Sequence, residues 1–301
     1  FFKDMDMEII LGKRGGCFFY EHDSDKDILN LHCNGGVFNL GHRNPRIINT
    51  VISALQNCDI GNHHFISKAR ALLAFELSKT LPESLHATVF SVGAGEAIDL
   101  AIKLARGYTQ RPEIISAKGG YHGHTGFALA AGEKKYQVPF GPMAPGFIQI
   151  PFNDIQALSE TLSSQTAAVI FETIPATLGM PIPSPDFYKQ VQSLCAKNDT
   201  LFILDEVQTG LGRTGKIWGF EHYHVEPDMV VTGKGLSGGI YPIAATIFHE
   251  KLNRVFADDP FIHISTFGGS EIGCYAALEV LHIIQEPGFL ENVNSISEKI
   301  T

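Results

Sequence analysis

Two short apolar runs each lead into one reactive residue. The run 201–204 (LFIL) ends at Asp205, and the run 229–233 (MVVTG) ends at Lys234. Runs this short and this apolar read as buried strands of a mostly parallel sheet. Ligands of such sheets bind beyond the carboxyl ends of the strands, which is where Asp205 and Lys234 would stand. A lysine amine can condense with an aldehyde to a Schiff base, and a carboxylate can hold a ring nitrogen in its protonated form. An isolated Asp and Lys near strand ends are more often an ordinary surface pair, so the neighbouring residues decide.

A pyridoxal phosphate (PLP) site requires this pair: the lysine takes the cofactor aldehyde, and the aspartate keeps the pyridine nitrogen protonated so that the ring acts as an electron sink. Around the pair run Asp205-Glu206-Val207-Gln208-Thr209-Gly210, then Gly212-Arg213-Thr214-Gly215, Pro227-Asp228 and Thr232-Gly233-Lys234-Gly235. In order and spacing this stretch resembles the class III (ω-amino-acid type) PLP-dependent aminotransferases, of fold type I. The resemblance implies a transaminase that takes an amine or amino acid donor and a 2-oxo acid acceptor. It implies Lys234 as holder of the cofactor (an internal aldimine) and as general acid/base. It also implies Asp205 on the pyridinium, Val207 under the ring and Gln208 facing the phenolic oxygen. Decarboxylating transamination and aminomutase chemistry share the scaffold and stay open at this point.

Other motifs extend the site. A strand over 87–92 leads into Gly93-Ala94-Gly95-Glu96-Ala97, which opens a helix. Glycines at such a turn let backbone N–H groups close on a phosphate. A dinucleotide fingerprint would need its third glycine where Ile98 stands, and an NAD-dependent oxidoreductase would leave Lys234 and Asp205 without a role. Within the resemblance, Gly93, Ala94 and Gly95 occupy the cofactor-phosphate turn, Ser-Gly-(Thr/Ser)-Glu-Ala. They supply no hydroxyl there, so donation falls to the backbone of Ala94 and Gly95. Tyr121 is expected to stack on the pyridine ring, with His122 in the cofactor wall.

Glu172 closes the apolar run 167–171 and matches the first glutamate of the family's Glu-Pro-(Ile/Val)-Gln-Gly-Glu stretch. Thr177 stands where the second would be. In ornithine- and GABA-type members that second glutamate partners a C-terminal arginine, so the resemblance stops short of those substrates. Thr266, in Thr266-Phe267-Gly268-Gly269, matches a threonine that reaches across a dimer interface to the neighbouring cofactor's phosphate, which implies a homodimer. His63-His64 and the His122/His124 pair lack a third ligand or a carboxylate cluster at useful spacing, so no metal is expected.

The elements that must position these residues alternate as strand and helix, the pattern of an α/β sheet covered by helices. Pro45 opens a helix running to near Cys58, and a second spans about 67–80. Ser184-Pro185-Asp186 reads as an N-cap followed by a proline at the first helical position, with the helix running to Lys197. Residues 242–248 read as a further strand, an antiparallel partner, and 271–284 as a helix. Three parts follow: an N-terminal arm over 1–44, a large PLP-binding domain over 45–285, and over 286–301 the start of a small C-terminal domain whose remainder is absent. In the arm, Gly15-Gly16, Asp23-Ser24-Asp25 and Gly35-Gly36 signal turns. There 34–37 and 39–42 resemble the family segment that skirts the active site.

Composition fits this reading. The 301 residues are 44% hydrophobic and 18% charged, with 30 glycines and a net charge of −9. That balance argues against general nucleic-acid backbone binding and against an anionic membrane surface. Five scattered cysteines without a C-x-x-C pair suit a reducing compartment. No run approaches a membrane span, and the start, FFKDMDMEII, has neither a signal-peptide pattern nor an initiator methionine. A cytoplasmic protein, read here as a fragment or ordered portion, is the default expectation.

Overall fold

A computed structural model describes residues 9–24 and 26–300. The first eight residues of the arm, Asp25 of its 23–25 turn, and Thr301 lie outside the described residues. Three arm strands, β1 (Leu11–Gly15), β2 (Phe18–Glu21) and β3 (Asp27–Leu29), form a small antiparallel sheet. The main sheet has seven strands: β4 (Leu85–Ser91), β5 (Glu113–Ala117), β6 (Phe147–Ile150), β7 (Thr166–Glu172), β8 (Leu201–Asp205), β9 (Met229–Thr232) and β10 (Ala244–His249). Their order is β4-β10-β9-β8-β7-β5-β6. Only β10 runs against its neighbours, as expected for 242–248.

Why the central strands read as continuous apolar runs is visible in the packing. Side chains alternate across a sheet, and here both faces are covered. Val169, Phe171, Phe202, Leu204 and Val230 join one core. Their neighbours Ala168, Ile170, Ile203, Met229 and Val231 join the other. The second core lies against the helix Ala94–Thr109, which buries Ala97, Ile98, Leu100, Ala101, Ile102, Leu104 and Ala105. The first takes in Ile47, Leu73, Leu77, Tyr188, Val191 and Ala277 from four helices, Pro45–Leu55, Lys68–Ser78, Phe187–Lys197 and Glu271–Ile284.

Helix starts follow local chemistry. The Asn44 side chain accepts the Arg46 N–H (3.0 Å) just before Pro45, and Ser67 accepts the Arg70 N–H (3.3 Å). The first of these helices ends at Leu55, short of Cys58. The helix expected to be capped by Ser184 instead begins at Phe187, with Asp186 in the cap position. Ser184 is otherwise engaged: Asn153 donates to its hydroxyl (3.0 Å) and accepts its N–H (2.9 Å). The last segment forms the helix Phe289–Ile300, from which Asn294 donates to the Gly215 carbonyl (3.3 Å).

Candidate active site

Strand register sets the row of carboxyl-end residues. Glu172 of β7 pairs with Asp205 of β8, which pairs in turn with Val231 of β9. Lys234 follows three residues later, beside the same strand ends. Of the residues singled out in the sequence, Ala94, Gly95, Tyr121, His122, Glu172, Asp205, Val207, Gln208 and Lys234 line one cavity of about 130 Å³. Gly93 stands just behind it as the N-cap of the helix Ala94–Thr109.

Asp205 is almost wholly buried, and its two oxygens are held separately. Oδ1 accepts the Val207 N–H (3.0 Å), and Oδ2 lies 2.8 Å from His122 Nδ1, which donates to it. Buried charge persists only when it is paired and hydrogen-bonded, and these bonds also fix the carboxylate plane. Burial disfavours a charged His122 ring, but the hydrogen bond and charge of Asp205, with the charge of Glu172, outweigh it and raise the His122 pKa. His122 Nε2 is buried without a partner among the described residues. The sequence placed His122 in the cavity wall; the structure adds that it braces Asp205.

Glu172 holds the turn that carries Tyr121. Its Oε1 accepts the Tyr121 N–H (2.8 Å) and its Oε2 the Ala176 N–H (3.2 Å). Burial raises its pKa, while the charge of His122 pulls the other way. Thr177 donates its hydroxyl to the Gly119 carbonyl (2.7 Å), so it serves the same turn and takes up no charged role.

Lys234 adopts φ +40°, a left-handed backbone that disfavours side chains and costs on the order of 1–3 kcal/mol. Gly233 before it admits a close approach: a Cβ there would meet Ala94 Cβ at 3.1 Å. The arm segment expected to skirt the site closes it from outside. Gln208 Nε2 donates to the Gly35 carbonyl (2.9 Å), and a Cβ on Gly35 would lie 3.6 Å from Lys234 Cε.

At the far end, Gly93 offers no side-chain cap, so the first-turn N–H groups of Ala94 and Gly95 have no intrahelical acceptor. Glu96 turns back to accept the Val92 N–H (2.9 Å), which leaves those two donors facing the cavity. An uncapped helix start, a held carboxylate and an amine around one cavity fit a planar cofactor bearing a phosphate, a ring nitrogen and an aldehyde. Among the described residues no group of three or more His, Cys, Asp or Glu could hold a metal ion.

Thr266 is not in this cavity. It lies exposed in a loop, where His63 Nε2 donates to its carbonyl (3.0 Å). Gly123, Ile174 and Thr209 also line the cavity and were not singled out in the sequence. Glu206 was also passed over. It is fully buried beneath the site, accepting from the Thr173 hydroxyl and from the N–H groups of Gly219 (2.8 Å) and Phe220 (2.9 Å). Its position directly after Asp205 was the only sequence signal: on a strand end, consecutive side chains point to opposite sides.

Burial pushes Glu206 from its ordinary 4.5 up to about 7, against those donors. The folded state therefore keeps a proton that the unfolded chain releases near pH 4.5. Stability from this group is full below that pH and declines as pH rises to about 7, by roughly 3 kcal/mol at most. Denaturant unfolding at pH 5 and pH 8 should show a larger decline in the parent than in Glu206→Gln. Equal pH dependence in both would refute it.

The family described as Aminotransferase class-III matches residues 3–301. The chain belongs to the class-III aminotransferases. It is 56% identical to a protein of Archaeoglobus fulgidus described as an uncharacterized aminotransferase, over all of this chain and 71% of that protein. Among solved structures, it resembles the taurine:2-oxoglutarate aminotransferase of Bifidobacterium kashiwanohense in complex with PLP and glutamate. That likeness has a TM-score of 0.91 at 25% identity, covering 97% of this chain and 71% of the other. The ornithine aminotransferase of Toxoplasma gondii aligns with a TM-score of 0.87 at 26% identity, over 92% of this chain and 67% of its own. The class-III aminotransferase described here is thus an α/β enzyme with PLP as its cofactor and transamination as its reaction.

Proposed function

We propose that Lys234 and Asp205 are the catalytic pair of this transaminase. The observation that carries the reading is their convergence on one cavity with Tyr121, Val207 and the uncapped start of the helix Ala94–Thr109 between and beside them. When bound, PLP supplies an aldehyde for amine exchange and a ring that takes up the electron pair left as the donor loses its proton. Lys234 would hold the cofactor through its amine, and that amine, when free, would accept and return the donor's proton. Asp205 keeps the pyridine nitrogen protonated, and His122 holds Asp205. Ala94 and Gly95 hold the phosphate through their N–H groups. Gln208 meets the phenolic oxygen, and Tyr121 and Val207 confine the ring.

The second part of the reading is a homodimer in which Thr266 serves the neighbouring copy's site. Its surroundings support this: Phe65, Ile66, Phe261, Ile262, Ile264 and Phe267 are all exposed. His63 bonds the Thr266 carbonyl and His64 contacts the Phe261 ring, which joins the two segments in one apolar surface. Exposed apolar surface of this kind marks an interface. Thr266→Ala is expected to leave a dimer in light scattering while weakening PLP binding roughly tenfold. Unchanged PLP binding in that variant counts against the crossing. All five cysteines are free, in keeping with a reducing, cytoplasmic setting. No helix among the described residues is long and apolar enough to cross a membrane.

The experiment is an absorbance spectrum of the protein with PLP, before and after a panel of amino donors. A visible band that bleaches with a donor and returns with a 2-oxo acid is the expected result. Free CO₂, or an amino group moved within one molecule, would instead favour a decarboxylating transaminase or an aminomutase. No band in the folded protein would overturn the Lys234 assignment.

A further inference from the structure

The phosphate turn of this chain lacks both hydroxyls expected there, and the structure shows what fills the vacated space. A Cβ added to Gly95 would lie 2.8 Å from Thr125 Oγ1 and 3.2 Å from Thr125 Cγ2. The loop that bears Thr125 is pressed onto the helix start. Gly123 (φ +122°) packs so closely that a Cβ there would sit 3.0 Å from Gly95 Cα. A serine or threonine at 95 would therefore collide with Thr125.

Thr125 is also released from the duty its position suggests. It is the N-cap of the helix Gly126–Ala131 yet makes no capping hydrogen bond with its side chain. Asp99, reaching across from the helix Ala94–Thr109, accepts the Ala128 N–H (2.7 Å) in its place. Thr125 is thus exposed, its hydroxyl free of any protein partner among the described residues and bordering Gly95 at the uncapped start of the helix Ala94–Thr109.

We propose that Thr125 supplies, from a different loop, the hydroxyl that Gly93 and Gly95 cannot, and so completes the phosphate subsite. The inference rests on the reading of Ala94 and Gly95 as phosphate donors given above. Gly95 is then required by the presence of Thr125, and the two positions work as a pair. A hydroxyl beside a helix start adds a charge-assisted bond to two backbone donors, all aimed at one dianion.

The test compares PLP with pyridoxal, which has the same ring and aldehyde but no phosphate. The full chain, freed of cofactor by dialysis, is titrated with each, and the dissociation constants are read from absorbance. Thr125→Val is expected to weaken PLP roughly tenfold to a hundredfold and leave pyridoxal unchanged. Thr125→Ser should retain the parent's preference for PLP. Gly95→Ser alone should weaken PLP through the collision, whereas Gly95→Ser combined with Thr125→Ala should recover most of the preference. An undiminished preference in Thr125→Val, or a parallel loss of both ligands, overturns the role of Thr125 while sparing the helix-start site. A parent protein with no preference for PLP over pyridoxal overturns that site as well.

Discussion

Lys234→Ala is expected to lower transamination by at least about four orders of magnitude, measured as donor-dependent formation of the new amino acid under saturating PLP. Among the described residues no second lysine lines the cavity, so none of them offers another amine to hold the aldehyde or carry the proton. The fold does not depend on this side chain. Lys234 sits at φ +40°, where any side chain is strained, and it lines the cavity. Replacement by alanine keeps the strain, and replacement by glycine removes it. Lys234→Gly should therefore unfold at a slightly higher denaturant concentration than Lys234→Ala, by about 1 kcal/mol, while both remain inactive. Turnover near the parent rate in either variant would sink the assignment.

Much of this site was legible in the sequence because its chemistry lies at strand ends. β8 and β9 are buried on both faces, so they appear as largely apolar runs whose first charged residues are Asp205 and, past Thr232 and a glycine, Lys234. Helix starts at Pro45 and Lys68 were legible for a local reason too, since proline and the Asn44 and Ser67 side chains act within two or three residues. Ser184 shows the limit of that reasoning. Its capping hydroxyl was taken by Asn153, 31 residues away, and no local pattern records such a partner.

The same limit hid the bracing of the site. His122 meets Asp205 across 83 positions, Gln208 meets Gly35 across 173, and Glu206 gathers donors from 173, 219 and 220. Those contacts exist only once the sheet has set its strand order. The family resemblance implied a place in the cavity wall for His122, directly after Tyr121. His122 does line the cavity, and its buried ring also places Nδ1 on Asp205, a contact that no local pattern records.

Asp205→Asn should retain much of the cofactor and lose roughly two to three orders of magnitude in turnover. The substitution keeps the shape and removes the charge, so the pyridine nitrogen loses the partner that favours its protonated form. It also places an amide NH₂ where both oxygens now accept: from the Val207 N–H at 3.0 Å and from His122 Nδ1 at 2.8 Å. One of those donors must then face another donor, or His122 must give up its Nδ1 proton. Without the Asp205 charge, the raised pKa of His122 has lost its main support, and only the charge of Glu172 is left to oppose burial, which favours the neutral ring. The His122 proton resonance is therefore expected to titrate at lower pH in Asp205→Asn than in the parent. That shift separates loss of charge from loss of packing, because a purely steric defect would lower turnover without moving His122. A rate within tenfold of the parent would mean that the carboxylate does not hold the ring nitrogen. A slow enzyme with an unmoved His122 would mean that the two side chains, although 2.8 Å apart, do not share their charge.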